Sequence, residues 1–191
     1  MDRFVFDYSS IEDFQLIDKA ISGDDNAFAE LVKRYQQAIA KIVISMLGPG
    51  EDAQDVGQQV FIRFFRALED FRGESTVLTY LTRIAINLSL NELNRRKRFF
   101  TLFSKATEIA KENYTMADET NIGYDFEIKE LINNALQSLQ PKYRSVIVLR
   151  MMEGYTTKET AKILNLPIGT VLSRLSRAQD KLKEILEPII K

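Results

Sequence analysis

The sequence predicts an all-α protein built as two small helical domains joined by a linker, and three observations carry that prediction. Apolar residues recur at helical spacing, and no apolar–polar alternation persists long enough for a strand. Strong turn chemistry cuts the chain into helix-sized pieces at Gly48-Pro49-Gly50, Phe71-Arg72-Gly73-Glu74-Ser75 and Asn165-Leu166-Pro167. Between about Thr101 and Tyr124 the periodicity weakens, and the polar patch MADETNIG favours loop.

Taken in order, the pattern gives helices at about 11–22, 26–47, 52–70 and 76–98, then 126–139, 142–153, 157–164 and 168–187. The third carries Val56, Val60, Phe64, Leu68 and Phe71 along one face, flanked by Phe61 and Phe65, which reads as a core stripe. Its polar remainder (Asp52, Asp55, Gln58, Gln59, Arg63) reads in isolation as a solvated face. The fourth has Leu78, Leu81, Ala85 and Leu88 inside and Thr79, Tyr80, Arg83 and Asn87 outside, with Ser75 a plausible N-cap ahead of it. It ends in Arg95-Arg96-Lys97-Arg98, more cations than a helix C-terminus needs to complement its dipole. Hydroxyls, a ring, an amide and cations on one element suit a strand whose bases are unstacked. The domains are expected at 1–98 and 126–191, with 99–125 as an acidic linker.

Composition removes most chemistry. The chain has 191 residues, with no cysteine and no histidine, so disulfides, thiolate sites, the commonest metal ligand and the commonest general base are gone together. No Gly-rich phosphate loop or nucleophile elbow accompanies the acids. The expectation is a protein that is not an enzyme and needs no cofactor or metal. No apolar run is long enough to cross a bilayer, and MDRFVFDYSS lacks the layout of a signal peptide, so a cytoplasmic protein without membrane insertion is expected. Net charge is −1 and the pI about 5.7, whereas a stand-alone DNA binder is usually basic. Weak intrinsic DNA affinity and reliance on a larger partner follow.

The most telling stretch is YTTKETAKILNLPIGTVLSRLSR, Tyr155 to Arg177. Thr156 and Glu159 stand at capping-box spacing, and Ala161, Ile163 and Leu164 give the first helix its apolar face. In the second helix, Val171, Leu175, Ala178, Leu182 and Ile185 form a buried stripe, beside which lie Thr170, Ser173, Arg174, Ser176, Arg177 and Lys181. Short hydroxyls and long cations read base edges and clamp phosphates in a major groove. The pattern is a helix-turn-helix, with an ordinary helical hairpin bearing a basic face as the alternative.

The run EDAQDVGQQVFIRFFRALEDFRGESTVLTYLTRIAINLSLNELNRRKR resembles domain 2 of extracytoplasmic-function (group IV) sigma factors of bacterial RNA polymerase. The run ALQSLQPKYRSVIVLRMMEGYTTKETAKILNLPIGTVLSRLSRAQDKLKEIL resembles their domain 4. The resemblance implies an alternative sigma factor that binds core polymerase through the β′ clamp and β flap, recognises −35 and −10 promoter elements, and opens the −10 region. It places Asp55, Gln58, Gln59, Phe61 and Arg63 on the helix that docks on the β′ clamp. Phe71, Arg72, Ser75 and Thr76 fall on the loop that captures a flipped −10 base. Thr79, Tyr80, Arg83 and Asn87 fall on the helix that holds the melted strand, and Arg95 and Arg96, with Lys97 and Arg98, on the end that meets duplex phosphates. Thr170, Ser173, Arg174, Ser176, Arg177 and Lys181 fall on the −35 recognition helix. The linker would thread toward the RNA exit path, and an anti-sigma factor is the expected inhibitor.

Some positions depart from the family pattern. Tyr80 stands where the family often has tryptophan, and Gln59 where it often has glutamate. Leu172, Ser176 and Gln179 replace bulkier or charged residues on the −35 reader, so its sequence preference is its own. Two other functions stay open at this level: a helix-turn-helix regulator with a helical sensor domain, and a helical interaction module that never touches DNA. The second leaves two separate basic clusters without a purpose.

Overall fold

A computed structural model of the chain describes residues 7–106 and 124–188. Within them every regular element is helical, as the periodicity predicts. A 3-10 turn (Tyr8–Ser10) precedes α1 (Asp13–Ile21), α2 (Asp25–Leu47), α3 (Glu51–Arg66) and α4 (Val77–Ala106). Then come α5 (Tyr124–Ser138), α6 (Pro141–Ile147), a π-helical turn (Val148–Met152), α7 (Thr157–Leu164) and α8 (Ile168–Leu186).

Local chemistry sets the boundaries. Asp24 caps α2 by accepting from the Asn26 and Ala27 amides, and also takes the Tyr8 hydroxyl at 2.8 Å. Three boundaries differ from the sequence reading by more than two residues. α3 stops at Arg66, because Ala67 to Phe71 wind through successive i→i+3 turns that still aim Leu68 and Phe71 at the core. α4 runs on past Arg98 to Ala106: no glycine or proline interrupts it, and Thr101 donates back to the Lys97 carbonyl at 2.8 Å. The expected helix over 142–153 divides into α6 and the π-helical turn. The MADETNIG patch lies outside the described residues.

α1 to α4 bundle around Phe64, which is fully buried and touches the rings of Phe28, Phe71 and Tyr80 at centroid distances of 6.2, 6.1 and 5.9 Å. Leu16, Leu31, Ile39, Val43, Val60, Leu81 and Ala85 complete that core. α1 is tied on by Arg34 of α2, which reaches Asp13 at 2.9 Å, Glu30 at 3.2 Å and the Tyr8 and Ser9 carbonyls. α5 to α8 have their own centre: Leu136, Leu139, Tyr143, Ile147 and Ala178 form one cluster, and Val146, Ala161 and Val171 another. The two units are in contact. Val148, Leu149 and Ile163 belong to the same buried cluster as the α1–α4 core.

Candidate nucleic-acid interface

The helix-turn-helix is built as its sequence requires. Thr156 and Glu159 close a full capping box, with the Thr156 amide on the Glu159 carboxylate at 2.8 Å and the Glu159 amide on the Thr156 hydroxyl at 3.2 Å. α7 ends at Asn165 in the left-handed conformation (φ 51°), and the Leu166 amide reaches back to the Ala161 carbonyl at 2.9 Å. That backward bond closes a Schellman turn and redirects the chain into α8. Val171 and Ala178 are fully buried under α8, while Ser173, Ser176, Arg177 and Lys181 are exposed. Thr170 and Arg174 are half-buried. Arg174 lines a cleft with Lys97 of α4 and Lys142 of α6, floored by Leu90, Leu93, Leu164 and Leu166.

At the other end, Phe71, Arg72, Ser75, Thr76, Thr79, Tyr80 and Arg83 line one cavity of 690 Å³. Thr76, rather than the expected Ser75, caps α4: its hydroxyl accepts from the Thr79 amide at 3.2 Å and donates to the Thr79 hydroxyl at 2.9 Å. Phe71 meets Tyr80 edge-on at 5.1 Å and stacks on Phe14 of α1 at 5.9 Å. Gly73 has φ +69°, and a Cβ there would come within 2.8 Å of the Phe14 ring. Phe14 therefore fits under the loop only because residue 73 is glycine. Sequence reasoning missed Phe14, since nothing in its local pattern points to a loop about sixty residues away. Asn87 is exposed one turn beyond Arg83 on the same side of α4 and outside the cavity lining. Glu159 and Lys162 of α7 also line the cavity, a long-range meeting that no local spacing announces.

The basic end of α4 is partly engaged. Arg95 and Arg96 both hold Glu92, at 2.7 and 3.3 Å, and both reach Asp52 of α3, at 3.6 and 2.6 Å. The Arg95 hydrogen bond first, then the charges of both arginines, hold the Glu92 carboxyl below its ordinary pKa. Arg96 also donates to the Leu47 carbonyl at the end of α2, at 3.3 Å. Arg95, Lys97 and Arg98 are the more exposed members of the run. The pairing with Glu92 was available from i,i+3 and i,i+4 spacing. The pairing with Asp52 needed the fold.

On α3, Asp55, Gln58 and Gln59 share an exposed face with Ile62, which is 40% exposed. Helical geometry turns Phe61 and Arg63 to opposite flanks of that face, roughly 160° apart. Phe61 enters a groove of 680 Å³ between α2 and α3, with Ile39, Ala40, Ala53 and Gly57. Arg63 stands exposed on the other side. The five residues therefore form a patch of three and two outliers.

No group of His, Cys, Asp or Glu that could hold a metal occurs among the described residues, and no helix there is long and apolar enough to cross a membrane. What the fold displays instead is an aromatic-lined loop cavity, a long polar helix face and a helix-turn-helix, in that order along one chain. Comparison with known proteins fits this order. Residues 31–99 match the model of sigma-70 region 2, and residues 129–182 that of sigma-70 region 4. RNA polymerase sigma-H factor of Pseudomonas aeruginosa is 33% identical over 94% of this chain and 96% of its own length. ECF RNA polymerase sigma-E factor of Escherichia coli is 34% identical over 95% and 97%. Among solved structures, CnrH in complex with the cytosolic domain of CnrY superposes with a TM-score of 0.65 at 27% identity, over 92% of this chain and 97% of that one. The sigma factor RpoE of Bartonella quintana, solved with the anti-sigma factor NepR, shares the fold with a TM-score of 0.64 at 23% identity, over 84% and 96%. With both sigma regions present in order and full-length relatives above 30% identity, the chain belongs to the extracytoplasmic-function family of RNA polymerase sigma factors.

Proposed function

We propose that this sigma factor joins core RNA polymerase in the cytoplasm, recognises a bipartite promoter and holds the melted −10 strand, with no covalent chemistry of its own. One observation carries the reading: the loop residues Phe71 to Thr76 and the helix residues Thr79, Tyr80 and Arg83 line a single cavity with aromatic walls. A ring beside hydroxyls and guanidinium groups suits an unstacked base and its phosphates, with stacking worth ~1–3 kcal/mol per base. The domains divide the work, 1–98 reading −10 and 126–191 reading −35 through Ser173, Arg174, Ser176, Arg177 and Lys181. Asp55, Gln58 and Gln59 supply the clamp-docking face, and Phe61 anchors it from the adjoining groove. Because Arg96 is committed to Asp52, Glu92 and the end of α2, and Arg95 is paired with Glu92 and Asp52, Lys97 and Arg98 are the stronger candidates for duplex phosphates. An anti-sigma factor is a further partner, in keeping with RpoE of B. quintana, whose fold this chain shares and which is held by one.

The test separates the two reading surfaces. Arg177→Ala should cost ~1–3 kcal/mol on promoters with the preferred −35 base if its guanidinium reads that base. Tyr80→Ala should leave −35 binding intact and impair opening. A promoter with a pre-melted −10 bubble should rescue Tyr80→Ala and leave Arg177→Ala impaired. An identical response from both variants would refute the division.

A further inference from the structure

Three cations from three helices line one recess that holds no acid. The cleft of 660 Å³ among α4, α6, α7 and α8 takes Lys97 from α4, Lys142 from α6 and Arg174 from α8, and none of its eleven lining residues is Asp or Glu. The chain as a whole has 27 Asp and Glu against 26 Lys and Arg, so acids are not scarce. Elsewhere the fold answers its cations. Arg34 reaches Asp13 and Glu30, Lys33 reaches Glu30, and Arg95 and Arg96 reach Glu92 and Asp52. Lys97 directly follows those two arginines, yet among the described residues no ion pair joins it, Lys142 or Arg174 to a carboxylate. Lys142 stands instead over the Tyr143 ring, 4.9 Å from its centroid. Cations gathered around a concave surface sum their fields and concentrate anions there.

The floor of the recess has the opposite character. Leu90 and Leu93 of α4, Leu164 of α7 and Leu166 of the turn are half-buried in it. Their inner sides are packed: Leu90, Leu93 and Leu164 against the larger core, Leu164 and Leu166 against the Val146–Ala161–Val171 cluster. The floor is therefore formed before anything binds. Asn94 and Gln140 add amide donors to the lining. The volume is that of a small-molecule site. Duplex DNA would answer the cations but brings no hydrocarbon to the leucines, and a free phosphate leaves them in water. A molecule that satisfies both carries an anionic head on an apolar body.

We propose that this recess binds a small amphipathic anion, a phosphate or carboxylate head on a hydrocarbon body, with Lys97, Lys142 and Arg174 meeting the head and the four leucines the body. Occupancy takes Lys97 and Arg174 away from DNA, so the ligand and the promoter compete. That competition rests on the DNA-reading roles proposed above; the site does not. A recess walled by four helices admits one free molecule and no bilayer surface.

The probe is octyl phosphate below its micelle threshold, titrated into the full chain and followed by calorimetry and backbone-amide NMR. It should bind saturably, one per chain, and shift the amides around Leu90 to Lys97, Gln140 to Ser145 and Leu164 to Leu166. Inorganic phosphate has the head alone, and octyl glucoside has the chain with an uncharged head. Each should bind more weakly by roughly tenfold or more. Equal binding of either would overturn the amphipathic assignment. Lys142→Glu and Asn94→Asp put an acid into the lining at exposed positions outside the proposed DNA-reading set. Each should weaken octyl phosphate roughly two- to tenfold. Asn94→Asp is nearly isosteric, so it serves alone if circular dichroism shows that Lys142→Glu disturbs the fold. Unchanged affinity in the folded variants would overturn the location. Cosedimentation with phosphatidylglycerol vesicles without binding of octyl phosphate would replace the recess with a membrane surface. Protection of the same amides by a −35 duplex, but not by octyl phosphate, would assign the recess to DNA. At saturation octyl phosphate should also weaken binding of that duplex to the free protein at low salt. If Arg177→Ala weakens the duplex and octyl phosphate does not, the competition is overturned; if neither does, the DNA reading of α8 fails, whatever the recess binds.

Discussion

Gly73→Ala is a small perturbation with a calculable cost. At φ +69° an L-residue is strained by ~1–2 kcal/mol, and the new methyl would stand 2.8 Å from Phe14 Cε1 and 3.1 Å from Cζ. Phe14 is 53% exposed and can swing outward, but only by giving up its stacking on Phe71 at 5.9 Å. Such a pair is worth ~0.5–1.5 kcal/mol. Together these set the loss of the competent loop at roughly 1.5–3.5 kcal/mol, or about 10- to 300-fold in its population. Phe14→Ala alone gives up only the stacking. In that background Gly73→Ala meets no ring and costs only its backbone strain. The double variant should therefore be less impaired than the product of the singles by roughly 2- to 12-fold, a coupling of ~0.5–1.5 kcal/mol. The assay is open-complex formation on a linear promoter with core polymerase, with circular dichroism to establish that all four proteins are equally folded. A double variant equal to the product of the singles would mean that ring and glycine do not meet, and that Phe14 does not position the loop.

Phe64→Ala should cost ~3–5 kcal/mol of stability, since this ring is fully buried and contacts Phe28, Phe71 and Tyr80; a thermal unfolding shift of only a degree or two would contradict that packing. Acid sensitivity should involve Glu92. Its folded pKa lies below the unfolded value, so its stabilisation is complete above about pH 4.5 and is lost as pH falls through the folded pKa. Denaturant titrations should therefore show Glu92→Gln losing stability at pH 7 but converging on the wild type as pH falls through the folded pKa of Glu92; a difference that stays constant as the pH is lowered would refute the pairing with Arg95 and Arg96.

What could be read from the sequence was whatever is written in local spacing. The capping box at Thr156 and Glu159, the Asn165 turn, the α8 stripe and the Phe64 stripe are each patterns within a few residues, and each is where the pattern puts it. The run of nine cavity-lining residues from Phe71 to Arg83 was also legible, because loop and helix are contiguous. Long-range juxtapositions were not. Asp52 as the partner of Arg96, Phe14 beneath Gly73, and Met46 as the acceptor for Arg144 join residues from 44 to 98 positions apart, and no periodicity encodes such a meeting. A second buried stripe of α4, made by Thr82, Ile86 and Ser89, was hidden for a different reason. Thr82 and Ser89 are polar, so a pattern of apolar residues passes over them even though both are fully buried.

α4 extends over 30 residues, about 45 Å of continuous helix, and its first four turns present three sectors roughly 120° apart. One packs on its own bundle, one meets the C-terminal unit, and one carries Tyr80, Arg83 and Asn87. In evolutionary terms this leaves those turns almost no neutral ground. A change in the first sector is judged by volume, one in the second by its fit to the C-terminal unit, and one in the third, on the function proposed above, by which promoters are served. Divergence among such proteins should then be sorted around the circumference of this helix rather than along its length. On the same proposal, regulons should drift through the third sector and the contact between the units through the second, while the first stays nearly still.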